Sequence, residues 1–189
     1  MTELCDLGFK YRTDKCPQVQ HNYTPIYYEM FKDRRETVKK VVEMGIGYPE
    51  SMFKVKNYTT GASLLMWRDF FPNAQIYGAD IHRAALFTAD RIKTFLCDET
   101  REKHIKDLIK QTGGDIDLFV DDGNHYREVQ VFLCLTVMPL LKKDVIYSIE
   151  DIFSINWVAR QIRKAGYKVV IPKMTGKNSY RDSMIIVTK

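Results

Sequence analysis

The chain is 189 residues long, 45% hydrophobic and 28% charged, which fits one well-buried α/β core and leaves little room for a second. Its formal net charge of +5 is too mild for a dedicated nucleic-acid binder, so nucleic acid is not an expected partner. Cys5, Cys16, Cys97 and Cys134 lack zinc or disulfide spacing, and there is neither a signal-like apolar segment nor a spanning run of about 18 apolar residues, so a soluble, cytoplasmic protein is expected.

Residues 1–39 read as an N-terminal cap ahead of a domain spanning 40–189. Thr24 and Pro25 make a helix N-cap and first turn, and Ile26, Tyr27, Met30 and Phe31 give that helix an apolar stripe. Thr13-Asp14-Lys15 and His21-Asn22-Tyr23 are too polar for a core element and are expected to fold over a ligand cleft. From residue 40, short β-rich runs alternate with helix-length segments, the pattern of βαβ units and a parallel sheet. Strands are predicted at 40–44, 75–79, 94–97, 116–120, 145–149, 168–171 and 183–188, with helices at 62–70, 83–89, 101–111, 127–141 and 155–165. The polar connection 172–182 has no helical period and reads as a hairpin loop closing an antiparallel edge. The expected fold is therefore α/β and Rossmann-like, a mainly parallel seven-stranded sheet with an antiparallel last strand.

The strand ends carry the polar residues. The first strand runs into Glu43-Met44-Gly45-Ile46-Gly47, whose glycines let backbone approach a ligand closely. Glu50 stands where a dinucleotide fingerprint needs its third glycine, which argues against a pyrophosphate site. Residues 48–60 form a long loop, either a substrate or cofactor lid or a plain insertion, before Gly61-Ala62-Ser63 opens the next helix. Asp80, after the second strand, either accepts hydrogen bonds from ribose hydroxyls or caps the helix predicted at 83–89. Asp98, past the third, either reaches an adenine amino group or caps the next helix with Thr100. The fourth strand delivers Asp121-Asp122-Gly123-Asn124-His125 and the fifth Glu150-Asp151, so carboxylates and an imidazole converge at the ligand-binding edge of the sheet. Two carboxylates can hold a hard divalent ion beside a general base. The bland alternatives are an Asp-Gly turn at 121–123 and Asp151 as a cap for the helix starting near Ser154.

In this order, E-x-G-x-G, G-x-S-L-x-M-W before F-F-P-N-A, G-x-D, D-D-G-N-H and I-E-D-I resemble the metal-dependent sugar O-methyltransferases typified by macrocin O-methyltransferase. The resemblance runs from Thr13-Asp14-Lys15 to Asp151, with Asn124 where the family more often has Ser. It implies a class I methyltransferase that uses S-adenosylmethionine and Mg²⁺ or Mn²⁺. Asp122 and Asp151 would be metal ligands and His125 the general base; Glu43, Gly45, Gly47, Ser63, Asp80, Asp98 and Asp121 would surround the cofactor. His21, Tyr23, Tyr126 and Tyr180 are candidate acceptor contacts, the tyrosines as stacking partners for a pyranose face. The acceptor would be a sugar hydroxyl on a glycan or glycosylated small molecule. Alternative readings are a catechol-like or RNA ribose acceptor, or a cofactor-binding module without turnover; a homo-oligomer is a further possibility.

The chemistry suits that set. A sugar hydroxyl is too weak an acid to attack a sulfonium unaided, whereas a nearby divalent cation eases its ionisation. A neutral imidazole can then take the proton near neutral pH, and in-line placement of oxygen, methyl and sulfur supplies much of the remaining acceleration.

Overall fold

The computed structural model describes residues 1–174 and 182–189, in which a central sheet is covered by helices on both faces. The strands are β1 (Lys40–Met44), β2 (Gln75–Asp80), β3 (Thr88–Ala89), β4 (Ile92–Leu96), β5 (Leu118–Asp121), β6 (Ile146–Glu150), β7 (Lys168–Val170) and β8 (Met184–Thr188). They form one sheet in the order β3-β4-β2-β1-β5-β6-β8-β7. β4, β2, β1, β5 and β6 are parallel to one another. β8 runs antiparallel to both β6 and β7, as the sequence pattern predicts for the last strand.

The helices are α1 (Glu3–Tyr11), α2 (Tyr23–Phe31), α3 (Ala62–Phe70), α4 (Glu102–Thr112), α5 (Arg127–Val137) and α6 (Ile155–Lys164). Strand alternation sorts the core into two clusters. Val41, Leu118, Val120 and Ile186 face α1–α3 and meet Leu4, Tyr27, Phe31, Leu64 and Trp67. Val42, Phe119, Tyr147, Ile149 and Ile185 face α4–α6 and meet Ile105, Leu133, Val158 and Ile162. Both faces are therefore buried, which is why these strands read as continuous apolar runs. No helix among the described residues is long and apolar enough to cross a membrane.

Two expectations need correction, and one helix has no counterpart in the sequence pattern. No α-helix forms at 83–89: Arg83–Ala85 is a single 3₁₀ turn, and Thr88–Ala89 turns back as an eighth, antiparallel edge strand on β4. Tertiary pairing overrides helix propensity there, because the Thr94 hydroxyl accepts from Phe87 N–H and donates to Phe87 C=O. Thr24 does not cap α2; it lies inside the helix, its N-cap is Asn22, and the Thr24 hydroxyl points at Cys5 Sγ. α1 was not anticipated, although Thr2 caps it through the Cys5 N–H and Leu4, Cys5 and Gly8 form its buried side. Gly8 lets the helix touch the following loop, since a Cβ there would lie 2.7 Å from Cys16 Cβ.

Candidate metal and cofactor cleft

Because strand order reverses between β1 and β5, a crevice opens at the carboxyl ends of these strands, the usual ligand position in an open α/β sheet. It has a volume of about 360 Å³, within the ~300–1,000 Å³ of small-molecule sites. Glu43, Gly45, Gly47, Ser63, Asp80, Asp98, Asp122, His125 and Asp151 all line it. Asp121, His21, Tyr23 and Tyr126 do not, and Tyr180 lies outside the described residues.

The period of two along each strand explains the division. Asp121 shares its face with Phe119 and is buried on the α4–α6 side, where it accepts from the Tyr147 hydroxyl at 3.2 Å. Burial pushes its carboxyl well above the ordinary carboxylate range, and the nearby Glu99 adds to the shift. One residue later the strand has ended and Asp122 turns into the crevice. Gly45, at φ +89°, is what lets the first strand's exit pass this turn: a Cβ would fall 2.0 Å from the Asp122 carbonyl oxygen. That glycine accommodates protein backbone on one side and lines the crevice on the other.

Asp122, His125 and Asp151 each offer a ligand atom, and these atoms lie within 4.8 Å of one another. Asp151 sits at φ +51°, a left-handed conformation that costs a non-glycine residue energy and is often held at functional sites. It does not cap α6, whose N-cap is Ser154. Instead its Oδ1 accepts from the Tyr23 hydroxyl at 2.5 Å, and Oδ2 faces His125 Nε2 at 4.0 Å and His21 Nε2 at 3.9 Å. His21 is in turn fixed by Asp182, with Nδ1 2.8 Å from Oδ1, and stacks on Tyr23. Tyr23 is 1% exposed and Tyr126 75% exposed, so the first is a strut for Asp151 and only the second is an open ring. His125 Nδ1 is buried with no hydrogen-bond partner among the described residues. Oxygen-rich, under-satisfied and close-set, this cluster fits a hard divalent cation.

The sequence reading names Glu43 and Glu150 and brings the Thr13-Asp14-Lys15 segment to the cleft, but it misses that Lys15 pairs with both glutamates. Glu43 on β1 and Glu150 on β6 point to the α1–α3 side, opposite to Met44 and Ile149, and both are fully buried. Lys15, itself 1% exposed, extends its ammonium to Glu150 at 2.6 Å, Asp122 at 2.5 Å and Glu43 at 3.4 Å. Tyr27 donates to Glu150 and Trp67 Nε1–H to Glu43, both at 2.5 Å. Burial alone would lower the Lys15 pKa, but the charges of Asp122, Glu150 and Glu43 outweigh it and hold the ammonium well above its ordinary value. An acidic residue inside each of two buried strands was the signal that a buried cation had to exist.

At the other end of the crevice, Asp80 is engaged with backbone: Oδ2 accepts from Ile46 and Gly47 N–H at 3.0 and 3.2 Å, and Oδ1 from His82 N–H at 2.8 Å. Asp98 accepts from the Thr100 N–H and hydroxyl in a local turn ahead of α4, whose N-cap is Arg101 with no side-chain cap, so Asp98 does not cap that helix. Its neighbour Glu99, unnoticed in the sequence, has a buried oxygen with no hydrogen-bond partner among the described residues, and burial raises its pKa to about 7. In the 48–60 loop, the Tyr58 hydroxyl donates to Ile46 C=O at 2.7 Å, while Met52 and Tyr58 wall the crevice.

Comparisons with known proteins bear on this geometry. No protein-family model matches the chain. The mycinamicin VI 2''-O-methyltransferase of Micromonospora griseorubida is 32% identical over 158 residues, covering 82% of this chain and 37% of that protein. A rhamnosyl tetracenomycin-C 2'-O-methyltransferase of Streptomyces olivaceus is 30% identical over 159 residues, covering 84% and 40%. Among solved structures, a methyltransferase of the mycinamycin biosynthetic pathway, in complex with Mg, SAH and mycinamycin VI, superposes with a TM-score of 0.79 at 22% identity, over all of this chain and 55% of that one. The chain therefore spans well under half the length of these two sequence relatives and has the Rossmann-like methyltransferase fold.

Proposed function

We propose, from the premise that this chain is a homologue of sugar O-methyltransferases carrying their catalytic fold, that it transfers a methyl group from S-adenosylmethionine to a sugar hydroxyl with the help of Mg²⁺ or Mn²⁺. The observation that carries this reading is the Asp122–His125–Asp151 cluster at the carboxyl ends of adjacent parallel strands, in the same crevice as Glu43 and Asp80. Residues 1–39 act as a cap and 40–189 as the methyltransferase domain, with the cap supplying Lys15, Tyr23 and Tyr27 to the crevice floor. Four free, buried cysteines suit a reducing, cytoplasmic setting.

In this reading Asp122 and Asp151 hold the cation, since hard ions prefer oxygen donors. When bound, such an ion lowers the cost of ionising a hydroxyl beside it. His125, left outside the carboxylate pair, takes the hydroxyl proton on a ring nitrogen. Tyr23 keeps Asp151 from swinging away, by a hydrogen bond to the oxygen that does not face the imidazoles. Asp80, Glu43 and Ser63 line the part of the crevice assigned to the cofactor. Asp80 must share its oxygens between ribose and the N–H groups it now holds. Tyr126 offers an exposed face against which an acceptor ring can stack.

The test is transfer of labelled methyl from S-adenosylmethionine to a panel of sugar-bearing acceptors, with and without EDTA, beside calorimetry with SAH. EDTA-sensitive methylation is expected. SAH binding with no transfer to any acceptor would favour a non-catalytic module, and EDTA-resistant transfer would remove the metal from the mechanism.

A further inference from the structure

We infer that Phe153 is a specificity-determining residue of the acceptor site: beside Tyr126 it forms an aromatic step at the mouth of the crevice, on which an uncharged, flat ring joined to the reacting sugar rests. The inference rests on the reading that the crevice methylates a sugar hydroxyl. The three most exposed aromatic rings among the described residues are Phe53, Tyr126 and Phe153, the last of them 88% exposed. Each stands one or two positions from a wall of the crevice, after Met52, His125 and Asp151 respectively. A ring left in water contributes nothing to the burial that stabilises the fold. One exposed apolar side chain needs no explanation, but large rings gathered at a single opening mark a surface that meets a partner.

Two of these rings stand beyond the Asp122–His125–Asp151 cluster, on loops that are bound to each other. His125 Nε2 faces Asp151 Oδ2 at 4.0 Å, the Gln130 side-chain amide donates to Glu150 C=O at 2.9 Å, and the Arg127 guanidinium lies over the Trp157 ring at 4.7 Å. The last contact holds the start of α5 against the start of α6, so Tyr126 and Phe153, just ahead of those helices, share one rim. Phe53 belongs instead to the loop after β1, whose Met52 lies against Gly47. What rests on the shared rim follows from room and from charge. The crevice, about 360 Å³, is near the lower end of small-molecule sites, and the cofactor together with the ring being methylated takes it up. Whatever is joined to that sugar leaves across the rim. Phe153 offers bare carbon, and Arg127 is already paired with Glu128 Oε1 at 2.7 Å, so the rim suits an uncharged ring and not the phosphates of a nucleotide-linked sugar.

The experiment is calorimetry of the full chain, loaded with SAH and Mg²⁺, against three ligands that share one sugar: the methyl glycoside, the 4-nitrophenyl glycoside and the nucleoside-diphosphate sugar, taken in turn for rhamnose, glucose and galactose. The wild type is expected to hold a nitrophenyl glycoside about tenfold more tightly than the matching methyl glycoside, and more tightly than the nucleotide-linked sugar. Phe153→Ala should bring that ratio down to about twofold and Phe153→Trp should keep it, a pattern that a merely structural side chain does not produce. A ratio near one in the wild type, a ratio untouched by Phe153→Ala, or preference for the nucleotide-linked sugar overturns the inference. Methyl transfer to the same ligands is followed in parallel. Transfer with a ratio indifferent to Phe153 overturns the inference and leaves the sugar-methyltransferase reading standing, whereas the expected ratios without any transfer do the reverse. Binding of none of these ligands overturns both.

Discussion

The two ends of Asp122 belong to different environments. Inward, Lys15, Glu43 and Glu150 are buried, Tyr27 and Trp67 donate to one oxygen of each glutamate, and Glu43 Oε1 has only the ammonium at 3.4 Å and no hydrogen-bond partner among the described residues. Outward, the side chains of His125 and Asp151 are 38% and 22% exposed, with an imidazole nitrogen that lacks a partner among the described residues and a backbone held at positive φ. The contrast is between charges closed off inside the fold and polar groups open to a crevice. Buried charges are tolerable only when fully compensated, whereas under-satisfied polar atoms facing a crevice are what chemistry requires.

Substitutions break that comparison in graded ways. Asp122→Asn touches both sides and is expected to have the largest effect, abolishing divalent-metal dependence together with nearly all methyl transfer; full, EDTA-sensitive activity in this variant would remove Asp122 from the site. His125→Ala acts on the outer side alone and should lower kcat by about 10²–10⁴-fold, the usual worth of a general base, with SAH affinity and melting temperature unchanged. Calorimetry and a thermal melt beside the kinetics decide it. Tyr27→Phe acts on the inner side alone and strands the buried Glu150 Oε1, so it should cost ~1–3 kcal/mol in a denaturant titration while leaving metal affinity intact.

Two smaller effects depend on pH. Glu99 is raised by burial to about 7, above its unfolded value, so the folded state favours its protonated form and stability falls as pH rises from about 4.5 through 7. Glu99→Gln should flatten that slope, and melts across this window would show it. Asp69 is opposite in sign. Burial alone would raise its pKa, but Tyr11, Lys10 and Arg68 bring it down to about 2, so its contribution is present above about pH 4 and is lost as pH falls through 2. These contacts tie α1 to α3, and since the carboxylate is partly solvated, Asp69→Asn should cost only ~1 kcal/mol at neutral pH and nothing below pH 2.

Much of this was legible in the chain. β1 and α3 begin and end where the apolar pattern places them, because a strand buried on both faces and a helix with one buried side each leave a distinct period. The turn at Asp122 and the exit at Asp151 were readable as the ends of apolar runs, and the structure brings both into one crevice with His125. Asp121 was grouped with them because adjacency in sequence hides alternation across a sheet; one residue of register sends it to the opposite layer.

What the sequence alone determined is the parallel core, its antiparallel closing strand and the set of acids at the strand ends, since each follows from local period and turn chemistry. Tertiary structure decided which acids pair and which stay open. Lys15 meets Glu150 across 135 positions of chain and Tyr23 meets Asp151 across 128, contacts that no local pattern encodes. The first forms because a carboxylate buried in a sheet must find a donor wherever the fold can bring one, and the second fixes a carboxylate just past the end of β6.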